Sequence, residues 1–279
     1  MTDSHGVWAY AVTEHADQTA LRGVRGVGES PVRVVQAAAL TAVAGTVRLD
    51  EFGEAALRRN LEDLDWLAAV ARTHHEVVDA VVRQGPAVPM RLATVYNSDG
   101  SLAAMLAQYA GDFRETMLRI GTRKEWGVKA YPGGQQGGGR VRTPDGNSDA
   151  EGPETGERGD PRAGAAYLRR RRDQLSAASD AKRLATASTR DVHGKLSGLA
   201  DDSRLHTPQA PQLTGGRKPM LLNAAYLLDE SASDMFAIAV ATLARQHLDI
   251  RLELTGPWPP YSFAGTAGGA TAGMWGGTR

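Results

Sequence analysis

Four groups of residues in this chain are of types that could do chemistry. Gly23, Gly26 and Gly28 invite a phosphate-cradling loop, His74 and His75 a metal, and Glu62, Asp63 and Asp65 acid–base work. The run Arg169-Arg170-Arg171-Arg172 invites an anion or a charged partner. The glycines are spaced G-x-x-G-x-G, no helix start clearly follows, and no acidic residue closes a βαβ unit, so a turn between strands fits better. Gly133-Gly134 and Gly137-Gly138-Gly139 lack the Lys-Ser/Thr of a phosphate loop. Adjacent histidines on a helix point about 100° apart and cannot act as an i, i+4 metal pair. The three carboxylates share a helical patch with no facing partner and read as a solvated face. No serine stands in a G-x-S-x-G elbow with an assignable base. The sequence has no cysteine, which excludes thiolate nucleophiles, disulfides and cysteine zinc sites. No catalytic residue, metal or cofactor is expected.

The arginine run is less easily dismissed. Four consecutive helical residues wrap more than one turn, so Arg169, Arg170, Arg171 and Arg172 cannot form a single basic face. Asp173 can pair with Arg169 at i, i+4, worth a few tenths of a kcal/mol. The structural reading is a solvated helix start whose arginine stems cover nearby apolar surface. The functional reading is an ionic contact with a partner, and it makes these four the candidate contact residues.

The most distinctive string is Gly256-Pro257-Trp258-Pro259-Pro260-Tyr261-Ser262-Phe263. Three prolines in four positions fix φ and remove backbone donors, so the segment is expected to leave the sheet after Leu254 as a stiff strap. In a chain with 6% aromatic residues, Trp258, Tyr261 and Phe263 supply large rings to bury. Together with Trp126 they are expected to lock the strap against the C-terminal sheet. Trp258→Ala would then cost several kcal/mol.

The elements that position these residues follow from apolar periodicity. Val7 to Val12 reads as a buried strand, with further strands at Val24 to Val27, Val32 to Val35 and Leu40 to Val47. A long helix is predicted from Glu51 to Arg83, with Leu57, Leu61, Leu64, Leu67, Val70 and Val81 on its apolar stripe. Val88 to Val95 returns as a strand with Arg91 at an edge or end, and Ser101 to Ile120 forms a helix. Glu125 to Tyr131 alternates and opens a second unit. Pro132 to Pro161 is rich in Gly, Pro, Asp and Glu, with almost nothing to bury, and reads as a disordered insertion. Gly164 to Ser203 is a very long helix with a thin stripe, Leu168, Leu175, Val192, Leu196 and Leu199. About 35 helical residues span roughly 50 Å, more than a small domain can cover. A linker at His206 to Pro219 precedes a strand at Met220 to Leu228, a helix at Ser231 to His247 capped by its serine, and a last strand at Ile250 to Leu254. Together these predict an α+β chain of two domains, 1–121 and 122–263, with the insertion at 132–161 and a disordered tail at 264–279. The second domain has the strand and helix order of a split β-α-β, ferredoxin-like arrangement.

Composition restricts the partners. The 279 residues favour about two domains. Lys plus Arg and Asp plus Glu are both 32, so the chain has no net field of the kind that nucleic acid or an anionic membrane selects. No apolar run reaches the length of a membrane span, and the polar Met1 to His5 lacks the pattern of a signal peptide. A cytoplasmic, soluble protein is expected.

Several strings match one family. Glu125-Trp126-Gly127-Val128-Lys129, Ala166-Tyr167-Leu168-Arg169-Arg170-Arg171-Arg172, Asn223-Ala224-Ala225-Tyr226-Leu227-Leu228 and the strap Gly256 to Phe263 resemble the gas vesicle protein F/L family. Val88-Pro89-Met90-Arg91-Leu92-Ala93-Thr94-Val95 is similar to a strand of its N-terminal domain. The likeness runs in order from Val7 to Phe263 and departs at the Gly-rich insertion and the tail. It implies a two-domain α+β protein whose C-terminal domain has a modified ferredoxin-like fold, with Trp126, Tyr226, Pro257, Trp258, Tyr261 and Phe263 as structural motif residues. The implied role is that of a minor structural and assembly protein of gas vesicles, not an enzyme. It would bind the hydrophobic main shell subunit and limit its aggregation, with other minor gas vesicle proteins as further partners. Strand addition or packing against the exposed part of the long helix, about Arg169 to Thr189, would provide the contact. The alternatives are a soluble assembly chaperone that is not retained in the shell, and an enzyme or ligand sensor on a ferredoxin-like scaffold.

Overall fold

The computed structural model describes residues 5–133, 161–208 and 219–265, with side chains at 161–168 and 170 excluded. Most of the predicted insertion, much of the predicted linker and all but the first two residues of the predicted tail lie outside the described residues.

The apolar run at Val7 becomes the centre of β1 (His5–Thr13), buried along all but its first residue. It runs antiparallel to β3 (Leu40–Arg48) on one side and to β4 (Ala87–Pro89) and β5 (Val95–Tyr96) on the other. Among the described residues β2 (Arg33–Ala37) pairs only with β3 and stands at the edge of the sheet, in the order β2-β3-β1-β4. Continuous apolarity in β1 follows from burial on both faces. Trp8 and Tyr10 face α3 (Leu64–Val82), and Val7 and Ala9 face α4 (Asp99–Gln108) and α5 (Ala110–Ile120).

Several predicted elements are cut shorter than the periodicity implies. The helix expected from Glu51 to Arg83 is three helices, α1 (Leu49–Phe52), α2 (Glu54–Asn60) and α3. Gly53 sits where a Cβ would lie 2.3 Å from the Leu49 carbonyl oxygen. Asp63, read as part of a solvated patch, is the cap of α3 and accepts from the N–H groups of Asp65 and Trp66. Leu64 is consequently 76% exposed and lies outside the core. Tyr109, at φ −110°, divides the helix expected at Ser101 to Ile120 into α4 and α5. The strand expected at Val88 to Val95 breaks around Met90–Thr94, where Ala93 has φ 64°, and Arg91 lies in that loop.

Val24 to Val27 is not a strand either. A single bridge joins Arg25 to Pro31 and a 3-10 turn covers Val27–Glu29. Gly26 sits where a Cβ would meet the Tyr10 hydroxyl at 2.3 Å, and Val27 N–H donates to that hydroxyl at 2.7 Å. Gly28 has φ 68°. These glycines let a turn close over Tyr10.

The second sheet contains β6 (Lys124–Pro132), β7 (Asp202–Leu205), β8 (Leu222–Leu228) and β9 (Ile250–Trp258), ordered β7-β8-β6-β9 and antiparallel throughout. α6 (Pro161–Ser197) connects β6 to β7, and α7 (Ser233–Gln246) connects β8 to β9. Both helices cover one face, packing Val192, Leu196, Phe236 and Val240 on Val128, Ala130, Ala224 and Tyr226. The other face sends Ala225 and Leu227 into the cluster that holds Phe113 and Ile120, so the two sheets share a core. α6 stops at Ser197, six residues short of its predicted end, and polar β7 takes the next stretch as a strand on the backbone of β8. The serine cap predicted at Ser231 is absent: Glu230–Ala232 is a 3-10 turn, and α7 begins without a side-chain cap.

A candidate partner surface and the strap behind it

The ladder of β9 does not end at Leu254. Thr255 pairs with Gly127 and Trp258 with Glu125, across a register shift. Gly256 supplies the shift, with φ 123° and a position where a Cβ would lie 2.8 Å from the Glu125 carbonyl oxygen. β9 is an edge strand, where Pro257 removes no ladder bond that the sheet needs. The chain leaves the sheet only after Trp258, and Pro259 and Pro260 are buried as it does so.

Beyond that point the strap crosses to the first sheet. The Trp258 ring meets His75 of α3 edge-on at 5.1 Å, and the Tyr261 ring lies 6.3 Å from both His74 and His75. Trp258 and Tyr261 thus turn to α3, where the sequence predicts contact with the C-terminal sheet. Trp258 stays 42% exposed, because it covers the helix from outside. Phe263 is fully buried in the shared core beside Leu227. Arg204 stacks over its ring at 5.4 Å and donates to the Ser262 carbonyl at 2.8 Å. Arg119 donates to the Phe263 carbonyl at 2.7 Å.

Glu125 clamps the turn, accepting from Ser262 N–H at 2.7 Å and Ser262 Oγ–H at 2.6 Å. Burial raises its carboxyl above the usual range, and the two Ser262 hydrogen bonds act against that rise. His74 is buried, and burial lowers it to about 4. Burial likewise raises the Tyr261 and Tyr226 phenols, and takes Tyr10 to about 12. Trp126 and Tyr226 lie among the residues under α6 and α7, and the Trp126 ring also approaches Gly256 at the start of the strap, where a Cβ would lie 3.2 Å from it. The Trp126 indole donates to Ser233 Oγ at 3.3 Å, and the Tyr226 hydroxyl is 2.9 Å from His193 Nδ1. The six motif residues therefore serve two places, with Pro257 exposed between them.

The arginine run lies on the outer part of α6. Arg169, Arg171 and Arg172 are exposed, and among the described residues no ion pair reaches them. The side chain of Arg170 lies outside the described residues. From Arg171 to Leu184 every side chain is exposed, a stretch of about 21 Å at helical rise. Ala185 is the first buried residue of this segment, followed by Ser188, Thr189, Val192 and Leu196. The predicted free segment, Arg169 to Thr189, is therefore five residues too long at its inner end. Leu175 and Leu199, both assigned to the stripe, are exposed, and Leu168 lies outside the described side chains.

A second feature is absent from the sequence reading. Between the inner end of α6 and α7 lies an apolar groove of about 640 Å³, lined by Lys195, Leu199, Met235, Phe236, Ile238 and Leu243. Met235 is 67% and Ile238 57% exposed. The available signal was their i, i+3 spacing, off the Phe236, Val240, Leu243 stripe that faces the sheet. This arrangement offers an apolar helix-pair surface continued by a charged helical arm, which can pack against another protein. Among the described residues there is no cluster of three or more metal-ligating side chains, and no helix is long and apolar enough to cross a membrane.

The comparisons agree with one another. Gas vesicle protein L from Streptomyces sp. (strain CB03234) is 37% identical over 262 residues, covering 93% of each chain. Gas vesicle protein F2 from Halobacterium salinarum is 34% identical over 58 residues, 21% of this chain and 27% of that one. The crystal structure of gas vesicle protein GvpF from Anabaena sp. PCC7120 superposes with a TM-score of 0.63 at 18% identity, covering 94% of this chain and 97% of that one. That of GvpF from Microcystis aeruginosa gives 0.61 at 16% identity, covering 94% and 99%. These two solved structures share the mixed helix and antiparallel-sheet fold. The family model described as gas vesicle synthesis protein GvpL/GvpF matches residues 6–265, and the chain belongs to that family.

Proposed function

We propose that this chain is a minor structural and assembly protein of gas vesicles that binds the hydrophobic main shell subunit and limits its aggregation during nucleation. The observation that carries the reading is the apolar groove between α6 and α7, with Met235 and Ile238 exposed beside it. A monomer gains nothing from leaving such side chains in water, whereas an apolar partner face gains by covering them. The outer arm of α6 extends the surface, and Arg169, Arg170, Arg171 and Arg172 are its ionic contacts. Other minor gas vesicle proteins are further partners. The protein acts without catalysis, in the cytoplasm and on the vesicle.

The architecture behind this reading is two domains, 1–121 and 122–263, the second a modified ferredoxin-like fold. The order β7-β8-β6-β9, with α6 and α7 as crossovers on one face, supports that description. Of the motif residues, Trp258, Tyr261 and Phe263 join it to the first domain, Trp126 and Tyr226 hold its own core, and Pro257 lies between the two groups.

Floated vesicles washed in strong denaturant and probed by immunoblot test the function. Retained protein is the expected result, and signal confined to the cytosol with free subunit would make it a soluble chaperone. Loss of subunit co-purification by Met235→Glu with Ile238→Glu is expected in either case. Unchanged co-purification would overturn the assigned surface.

A further inference from the structure

Among the described residues β2 is an edge strand, and none of their strands pairs with its outer side. The two-residue turn Ala38-Ala39, with φ of 51° and 56°, makes Ala37 and Leu40 a hydrogen-bonded pair. Alternation along an antiparallel ladder then makes Val35 with Ala42 and Arg33 with Ala44 hydrogen-bonded pairs as well. The N–H and C=O groups of Val34 and Gln36 therefore point away from β3, and among the described residues no strand pairs with them. Edges are ordinarily guarded by charged side chains, proline or a bulge; in Arg33-Val34-Val35-Gln36-Ala37 the one charge is Arg33, at the first residue and paired with Asp99, and no proline or bulge follows.

A cavity of about 360 Å³ lies beside this edge, lined among others by Leu21, Arg22, Arg25, Val32 and Val34. Arg33 also lines it and is paired with Asp99 at 2.7 Å. Arg22 and Arg25 are exposed, and among the described residues no ion pair reaches them. Among the described residues no carboxylate lines the cavity. A strand added to β2 would send alternate side chains to the face where Val34 packs, and the charge there selects acidic ones.

We propose that β2 is a docking edge for an extended, acidic segment of a partner protein, which adds to the sheet as a further strand and places carboxylates against Arg22 and Arg25. This surface is separate from the α6 and α7 groove and does not depend on its assignment.

The test is fluorescence anisotropy of the full chain with a labelled, acetylated Val-Glu-Val-Glu-Val-Glu peptide. Saturable binding is expected, weakened by at least about tenfold when lysine replaces glutamate in the peptide or in an Arg22→Glu/Arg25→Glu variant. Gln36→Pro removes an outward N–H and no ladder bond, and should abolish binding. A peptide N-methylated at alternate amides tests the backbone contacts on the unaltered protein, so the result stands even if Gln36→Pro fails to fold. No binding at millimolar peptide, or binding indifferent to N-methylation or to the two arginines, overturns the proposal. So does a dimer of this chain that Gln36→Pro dissociates, since the occupant would then be a second copy.

Discussion

The Trp8 indole N–H donates to Nδ1 of His74 at 2.9 Å, and this one bond fixes the chemistry of the imidazole. Nδ1 must accept, so Nε2 carries the proton and donates to the Met90 carbonyl at 3.1 Å. A second proton would have to displace Trp8. His74 is therefore held neutral, in the same direction as the burial that lowers it to about 4. Above the ordinary value of 6.5 neither folded nor unfolded chain holds the extra proton. As pH falls from 6.5 towards 4 the unfolded chain takes it up first, so stability is lost across that window. The loss from this residue should approach about 3 kcal/mol. Urea unfolding at several pH values should show a slope in that window that His74→Phe reduces.

Glu125 acts in the opposite sense. Its carboxyl is raised in the folded chain, so its contribution is fully present below the ordinary carboxylate range and is lost as pH rises through the raised value. Its two hydrogen bonds from Ser262 work against that loss. Glu125→Ala should cost about 1–3 kcal/mol by leaving the Ser262 N–H without its acceptor. Ser262→Ala, which retains the backbone bond, should cost less, and denaturant midpoints would rank the two.

Burial predicts opposite outcomes for two strap aromatics. Phe263 is fully buried, and Phe263→Ala should cost about 3–5 kcal/mol. Trp258, 42% exposed over His75, should cost only about 1 kcal/mol on Trp258→Ala, below what the sequence implies. Equal losses in chemical denaturation would place Trp258 in a core position that it does not occupy.

The groove residues should separate binding from folding. Met235→Glu and Ile238→Glu change exposed side chains and should move stability by no more than about 0.5 kcal/mol each. Thermal melts of the purified variants check this before co-purification with the shell subunit is scored.

What was readable in the chain divides along physical lines. β1, the face of α5 and the core of β8 were legible, because continuous or periodic apolarity follows directly from burial. The strap was legible as a distinctive string, but its contact was not. Prolines and aromatics predict stiffness and burial, not which surface they meet. The break at Gly53 and Asp63 depended on a close carbonyl approach and a cap that a run of leucines concealed. β7 was hidden because its residues are polar and its strand form comes from β8. The groove was missed because Met235 and Ile238 belong to neither a buried stripe nor a charged face.

The shared core also sets an order of events at the ribosome. Residues 5–120 contribute β1, α4 and α5 to a cluster that further includes Ala225, Leu227, Phe263 and Ala264. A nascent chain that has delivered only residues 5–120 leaves open the part of that cluster which Ala225, Leu227, Phe263 and Ala264 complete. It stays in that condition while more than a hundred further codons are read. Completion therefore belongs to the late-made strap, and a transcript cut before it would yield a sticky, short-lived product rather than a working half.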